Sequence, residues 1–137
     1  MTTKSETMAD SVSAFAALWF KYLDQHAPSG QVVDCLATDG LEMVFPERTL
    51  RSIDDFRDWY ATVCRAYTDE THVVEEVTPS MAGDDINVDV VVVWRATQTS
   101  DGARIAMRAR QRWVLRRTHT EMGLAIAEYR VDELTSL

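Results

Sequence analysis

The sequence predicts one α+β domain, with helices in its first half and an antiparallel sheet in its second. Three observations carry that prediction. Apolar residues recur at helical spacing as far as Tyr67, the text then turns into long runs rich in Val, Ile and aromatics, and clusters of turn-forming residues separate those runs. The chain has 137 residues, enough to bury one core without staples, and no repeat, linker or break in composition divides it. Residues 1–137 therefore read as a single domain, with residues 1–8 as a flexible N-terminal segment.

The first helix is expected from about Asp10 to Ala27. Val12, Phe15, Ala16, Trp19, Tyr22 and Leu23 fall on one face, and Pro28 stops it. Ser29 caps a shorter second helix carrying Val32, Val33, Cys35 and Leu36, which gives way near "TDG" to the extended stretch "LEMVFP". The third helix is "SIDDFRDWYATVCRAY", with Ser52 as cap, Asp55 as a capping-box acid, and Ile53, Phe56, Tyr60, Val63 and Tyr67 along one face.

The segments "THVVEEVT", "INVDVVVVWRATQT", "ARIAMRARQRWVLRR" and "LAIAEYRVDEL" follow, separated by "MAGDD", "SDGA" and "HTEMG". They read as consecutive antiparallel strands. A two-residue type I′ turn at Asp101-Gly102 would set Arg95 opposite Arg108, Trp94 opposite Ala109 and Val92 opposite Gln111. Side chains alternate across a strand, so one face takes Val90, Val92, Trp94, Met107, Ala109, Gln111, Trp113, Ala127, Tyr129 and Val131. That face is expected to meet the helices. The opposite face mixes Val91 and Val93 with Arg95, Arg108, Arg110 and Arg112, beside Glu128, Arg130 and Asp132.

Composition narrows the function classes. Against 22 acidic residues stand 14 basic ones, a net charge of −8 that repels a phosphate backbone, so nucleic acid is not an expected partner. The arginines near Trp113 do not alter this, because alternation sends that aromatic to the other face. The apolar runs "AFAALWF" and "VVVVW" are too short to cross a bilayer, and the N-terminus lacks a basic region followed by an apolar one. A cytoplasmic protein that does not engage membranes is the expectation. Cys35 and Cys64 read as reduced core thiols, and His26, His72 and His119 stand singly without a ligand spacing, so neither metal nor cofactor is expected.

Two helices, a strand, a third helix and a long antiparallel sheet, with "LATDGLEMVFP", "RSIDDFRDWY", "THVVEEV", a valine-rich strand ending in Trp94, and "RQRWVL", resemble the nuclear transport factor 2-like superfamily, in particular its SnoaL-like branch. The resemblance covers nearly the whole chain. It implies a cone-shaped, cystatin-like α+β fold, in which a curved sheet wraps three N-terminal helices and leaves an apolar pocket for a small hydrophobic organic ligand. It also implies a homodimer packed through the outer sheet face, here Val91, Val93, Arg95, Arg108, Arg110 and Arg112.

The resemblance implies two sets of catalytic positions. Ketosteroid isomerases of this fold polarise a carbonyl with groups that correspond here to Trp19, Phe45 and Gln111, two of which are chemically silent. Dehydratase-like members carry a Tyr, an Asp five residues on, and a His after the third helix. Trp19 takes the Tyr position, while Asp24 and His72 match the other two, with Tyr22 one turn away as a replacement hydroxyl. An Asp that orients an imidazole produces a general base. The alternative for Asp24 is a solvated residue on the last turn of a helix. Trp19, Met43, Phe45, Trp94, Met107 and Trp113 either build the core or line the pocket, Tyr22 is a further ligand-binding candidate, and Gln111 and Tyr129 either satisfy each other or orient the ligand. The function implied is cofactor-free isomerisation, dehydration or cyclisation by proton transfer, with a non-catalytic binding or dimeric assembly module as the alternative.

Overall fold

The computed structural model describes residues 4–120 and 122–137, with side chains from residue 8 onward. Helix α1 runs Lys4–Asp24, α2 Ser29–Val32 with a 3-10 turn over Val33–Cys35, and α3 Ile53–Ala66. The strands are β1 Glu42–Val44, β2 Thr49–Leu50, β3 Tyr67–Ala82, β4 Asp85–Gln98, β5 Arg104–Arg117 and β6 Leu124–Ser136. They form one six-stranded sheet in the order β2-β1-β6-β5-β4-β3. All neighbours are antiparallel except β1 and β6. The sheet is curved and unclosed, and with the helices it makes an α+β cone. Among the described residues no helix is long and apolar enough to cross a membrane.

Helix α1 starts six residues before the expected Asp10, so the expected flexible segment is helical from Lys4; residues 1–3 lie outside the described residues. It ends at Asp24 rather than Ala27 because the chain turns left-handed at His26, with φ 49°. Ala27 N–H returns to Tyr22 O at 3.0 Å and His26 N–H to Leu23 O at 3.2 Å, closing a Schellman motif. At α3 the expected cap forms: Ser52 Oγ accepts from Asp55 N–H at 3.0 Å, and Asp55 Oδ2 accepts from Arg51 N–H at 2.9 Å. Ser52→Ala should therefore cost about 1 kcal/mol of stability, read from urea denaturation; an unchanged midpoint would show that packing alone holds this end.

Across the β4–β5 hairpin Trp94 faces Met107, Arg95 faces Ala106, Val92 faces Ala109 and Val90 faces Gln111, two residues from the expected register. The cause lies in α3. Thr99 N–H and Oγ both bond to Ala66 O, and Oγ also to Arg65 O, which removes Thr99 from the ladder and lengthens the loop beyond a two-residue turn. A slip of two conserves facing, so the inner face keeps its residues. Ala127 is the exception. A bulge sets Val114 opposite Glu128 and Leu115 opposite Ile126, which sends Ile126 into the core and packs Ala127 with Ala37 and Ala125.

The core lies between the inner sheet face and the helices, around the fully buried Trp19, Met43, Leu50, Phe56, Ile86, Trp113, Leu115 and Ile126. The outer face differs from expectation. Val91 and Val93, placed by alternation on the outer face, are only 8% and 4% exposed in the single chain. Arg110 and Arg108 stand directly across from them. Arg108 reaches over to Glu75 through two bonds of 2.7 and 3.2 Å, so that its aliphatic stem roofs the valine surface. Arg112 pairs with Asp132 as expected, at 2.5 Å, and Arg110 approaches Glu133 at 3.6 Å. Glu128 holds no arginine among the described residues, and Arg130 turns to Glu42 at 2.9 Å.

Candidate active site

The last turn of α1 packs on the start of β3 and brings Asp24 to His72. Asp24 Oδ1 lies 2.6 Å from His72 Nδ1, and Oδ2 accepts the backbone N–H of His72 at 3.1 Å. A carboxylate only accepts, so this contact sets the proton on Nδ1 and leaves the lone pair on Nε2. Nε2 makes no hydrogen bond among the described residues. The imidazole side chain is 11% exposed, and Asp24 is 26% exposed. Phe20 stacks on the ring with centroids 4.9 Å apart, and Trp94, directly opposite on β4, lies nearly parallel at 6.5 Å.

The ladder gives the surroundings. One row of the inner face reads His72, Trp94, Met107 and Ser136 across the four long strands, and the next reads Val74, Val92, Ala109 and Leu134. Val74 and Leu134 are 38% and 41% exposed, so this apolar end of the face is open. Neither row carries a cation. An occupant here would be met by apolar surface and one basic nitrogen.

Deeper in the cone the chain fills its own space. Tyr129 stacks on Trp113 at 5.3 Å, and Trp19 and Phe45 lie against Tyr129 at 5.7 and 5.6 Å. Gln111 Oε1 accepts Trp113 Nε1–H at 3.0 Å. Trp19 Nε1 is buried close to the Tyr129 phenol without closing a hydrogen bond. Burial pushes that phenol up to about 12, with the neighbouring Trp19 and Gln111 donors opposing it. Trp19, Met43, Gln111, Trp113 and Tyr129 are thus core, and the partly exposed Phe45 packs against them by stacking on Trp59 at 4.2 Å. Tyr22 is half-buried and gives no hydrogen bond to Asp24 or His72. Of the expected site residues, Asp24, His72 and Trp94 come together.

Three participants escaped the sequence reading. Phe20 supports the imidazole. His26 and Glu70 form a second imidazole–carboxylate pair, and Glu70 Oε1 accepts Trp94 Nε1–H at 3.0 Å. The available signal was spacing: Asp24 and His26 are two apart on one segment, and Glu70 and His72 are two apart on the other. The thiols play no part. Burial raises Cys35 to about 12, and it raises Cys64 against the opposing effect of the neighbouring Tyr60 hydroxyl. Among the described residues no group of His, Cys, Asp and Glu is placed to hold a metal. A polar depression of about 290 Å³ lined by Gly40, Asp85, Asn87, Arg116 and Glu128 touches none of the residues around His72.

No family model matches the sequence, and no curated protein does. Solved structures match the whole shape. A nuclear transport factor 2-like superfamily protein from Salmonella enterica superposes with a TM-score of 0.82 at 12% identity, over 96% of this chain and 92% of that one. This chain has the nuclear transport factor 2-like fold. A hexachlorocyclohexane dehydrochlorinase from Novosphingobium barchaimii shares that fold with a TM-score of 0.78 at 12% identity, over 96% and 90% of the two chains. A ketosteroid isomerase-like protein from Erwinia carotovora does so with 0.73 at 18% identity, over 89% and 92%. At these identities the likeness concerns the nuclear transport factor 2-like fold alone, and any activity has to be argued from the site.

Proposed function

We propose that the protein binds a small, uncharged, mostly apolar organic molecule at the open end of its inner sheet face, and that His72 removes a proton from it without a cofactor. The observation that carries this reading is the two-point grip of Asp24 on His72. It leaves Nε2 as the basic nitrogen and places a negative charge where imidazolium forms. In the proposed step a C–H bond breaks and its proton goes to Nε2. The electron pair either forms a double bond as a leaving group departs from the next carbon, or shifts and recaptures the proton at another carbon. Dehydration, dehydrohalogenation, isomerisation and cyclisation all begin this way. The dehydrochlorinase and the isomerase-like protein of the same fold support that reaction class. Isomerase chemistry with the usual donors is disfavoured by Trp19, Phe45 and Gln111 at those positions. The two free thiols suit a cytoplasmic location.

The test is incubation in D2O with neutral cyclic ketones and with hydroxylated or halogenated ring compounds, followed by NMR and mass spectrometry. Deuterium at the carbon beside the carbonyl, or release of halide or water, is the expected result. A protein that binds these probes yet neither exchanges nor eliminates would favour the second reading, a non-catalytic binding module. The interior packed with Trp19, Met43, Trp113 and Tyr129 supports that alternative, because the protein's own side chains take up that part of the cone. A homodimer through the outer face would bring Arg108 and Arg112, with their ion-pair partners Glu75 and Asp132, to the interface.

A further inference from the structure

The Asp24–His72 pair has a mirror image beside it. His26 meets the carboxylate of Glu70, so the end of α1 and the start of β3 are tied by two imidazole–carboxylate pairs of opposite polarity. Glu70 is the more buried acid, its side chain 5% exposed against 26% for Asp24. A carboxylate that deep needs its oxygens satisfied. One goes to His26 and the other to the indole N–H of Trp94, which stands directly across the ladder from His72. From α3, Tyr60 and Cys64 lie close enough for the Glu70 charge to add to the burial that raises both, but the Tyr60 hydroxyl donates to Ala27 O at 2.6 Å instead.

The backbone is distorted on both sides to deliver this pair. His26 (φ 49°) and Asp69 (φ 51°) are the non-glycine residues with left-handed backbone among the described residues. His26 occupies the position that closes the Schellman motif, where glycine is the usual residue. Asp69 and Glu70 lie in a bulge between Thr68 and Thr71, pinned by Arg104 donating to Asp69 O at 2.8 Å. Strain kept at two segments that meet at one side-chain contact points to a use for that contact.

We propose that Glu70, anchored by His26, is a positioning residue that fixes the Trp94 indole as the wall of the ligand site beside His72. With its N–H tied, the indole holds a plane within 25° of the imidazole, while Tyr67 meets it edge-on at 5.0 Å. The proposal rests on His72 being the reactive base, and its experiment reads the wall without needing turnover.

The test compares Glu70→Leu with Glu70→Gln by proton–nitrogen NMR, with the Trp94 indole signal identified by its loss in Trp94→Phe. Glu70→Leu should move the Trp94 indole N–H upfield and shift the His72 ring protons. Glu70→Gln, whose amide oxygen accepts the same bond, should restore both toward the native positions. Asp24→Asn should shift the His72 ring protons and leave the Trp94 indole in place, which separates the two pairs. Unmoved Trp94 and His72 signals in Glu70→Leu overturn the proposal, whatever the protein does to substrates. Should Glu70→Leu not fold, His26→Gly carries the test, because glycine suits the left-handed turn and keeps the helix end while removing the anchor. A stable His26→Gly protein with a displaced Trp94 signal supports the positioning role, and an unmoved signal overturns it.

Discussion

His72→Ala is expected to lower turnover by about 10²–10⁴-fold on any substrate found by the exchange screen, the usual contribution of a positioned general base. The fold should be little changed, because the backbone N–H of residue 72 still meets Asp24 Oδ2. Asp24→Asn should approach the same loss by a different route. A carboxamide has one accepting atom, and Asp24 now accepts both the backbone N–H and Nδ1–H of His72. If the amide keeps the backbone bond, its NH2 faces Nδ1. The imidazole proton then moves to Nε2, and the lone pair that would take the substrate proton is lost. Rates of both variants, measured with circular dichroism as the check on folding, decide the matter. A His72→Ala protein as fast as the native one would move the base elsewhere.

A second large effect is expected in alkali. Burial raises Cys35 from 9.0 to about 12, Tyr129 from 10.0 to about 12, and the Tyr60 hydroxyl also well above its ordinary value. Each folded value exceeds the unfolded one, so the unfolded chain releases its proton first as pH rises. Stability is fully present below pH 9, starts to fall there through Cys35, and falls faster above pH 10 as the tyrosines join. For Tyr129 alone, which is 3% exposed, the rise corresponds to about 2 kcal/mol lost by pH 12. Urea midpoints at pH 8, 10 and 11.5 should trace this decline, and Tyr129→Phe should flatten its upper part. Midpoints constant to pH 11 would contradict the buried phenol and thiol.

Much of this was legible because it is local. The Ser52 cap, the face of α3 from Ile53 to Val63 and the alternation along β5 depend on residues close in sequence and appear where their patterns place them, whereas Tyr67, expected on that helix face, opens β3. What was not legible depends on partners far along the chain. Thr99 bonds to Arg65 and Ala66, more than thirty residues back, and thereby moves the hairpin register. Val91 and Val93 are buried on β4, the strand that Arg108 spans to reach Glu75 on β3, which no alternation rule anticipates. Ala127 leaves the main core for a small buried cluster with Ala37 and Ala125, through a bulge that its own text does not announce. At the site, Asp24 and His72 could be paired only through a resemblance. Glu70 and His26 were passed over because neither pattern nor resemblance pointed to a carboxylate buried under an indole.

The parallel pairing of β1 with β6 governs when this molecule can become whole. Glu42, Met43 and Val44 find their ladder partners in Glu128, Tyr129 and Arg130, and Leu36 bridges to Ile126. A ribosome releases β1 first, and its parallel partner β6 follows only after β3, β4 and β5 have been made. The N-terminal segment must therefore wait, apolar face uncovered, while the β3–β6 hairpins form from contacts close in sequence. Asp24 waits for His72 across 48 residues of chain, and Glu42 of β1 waits for Glu128 across 86. A nascent chain stalled before β6 would thus be a ready client for chaperones.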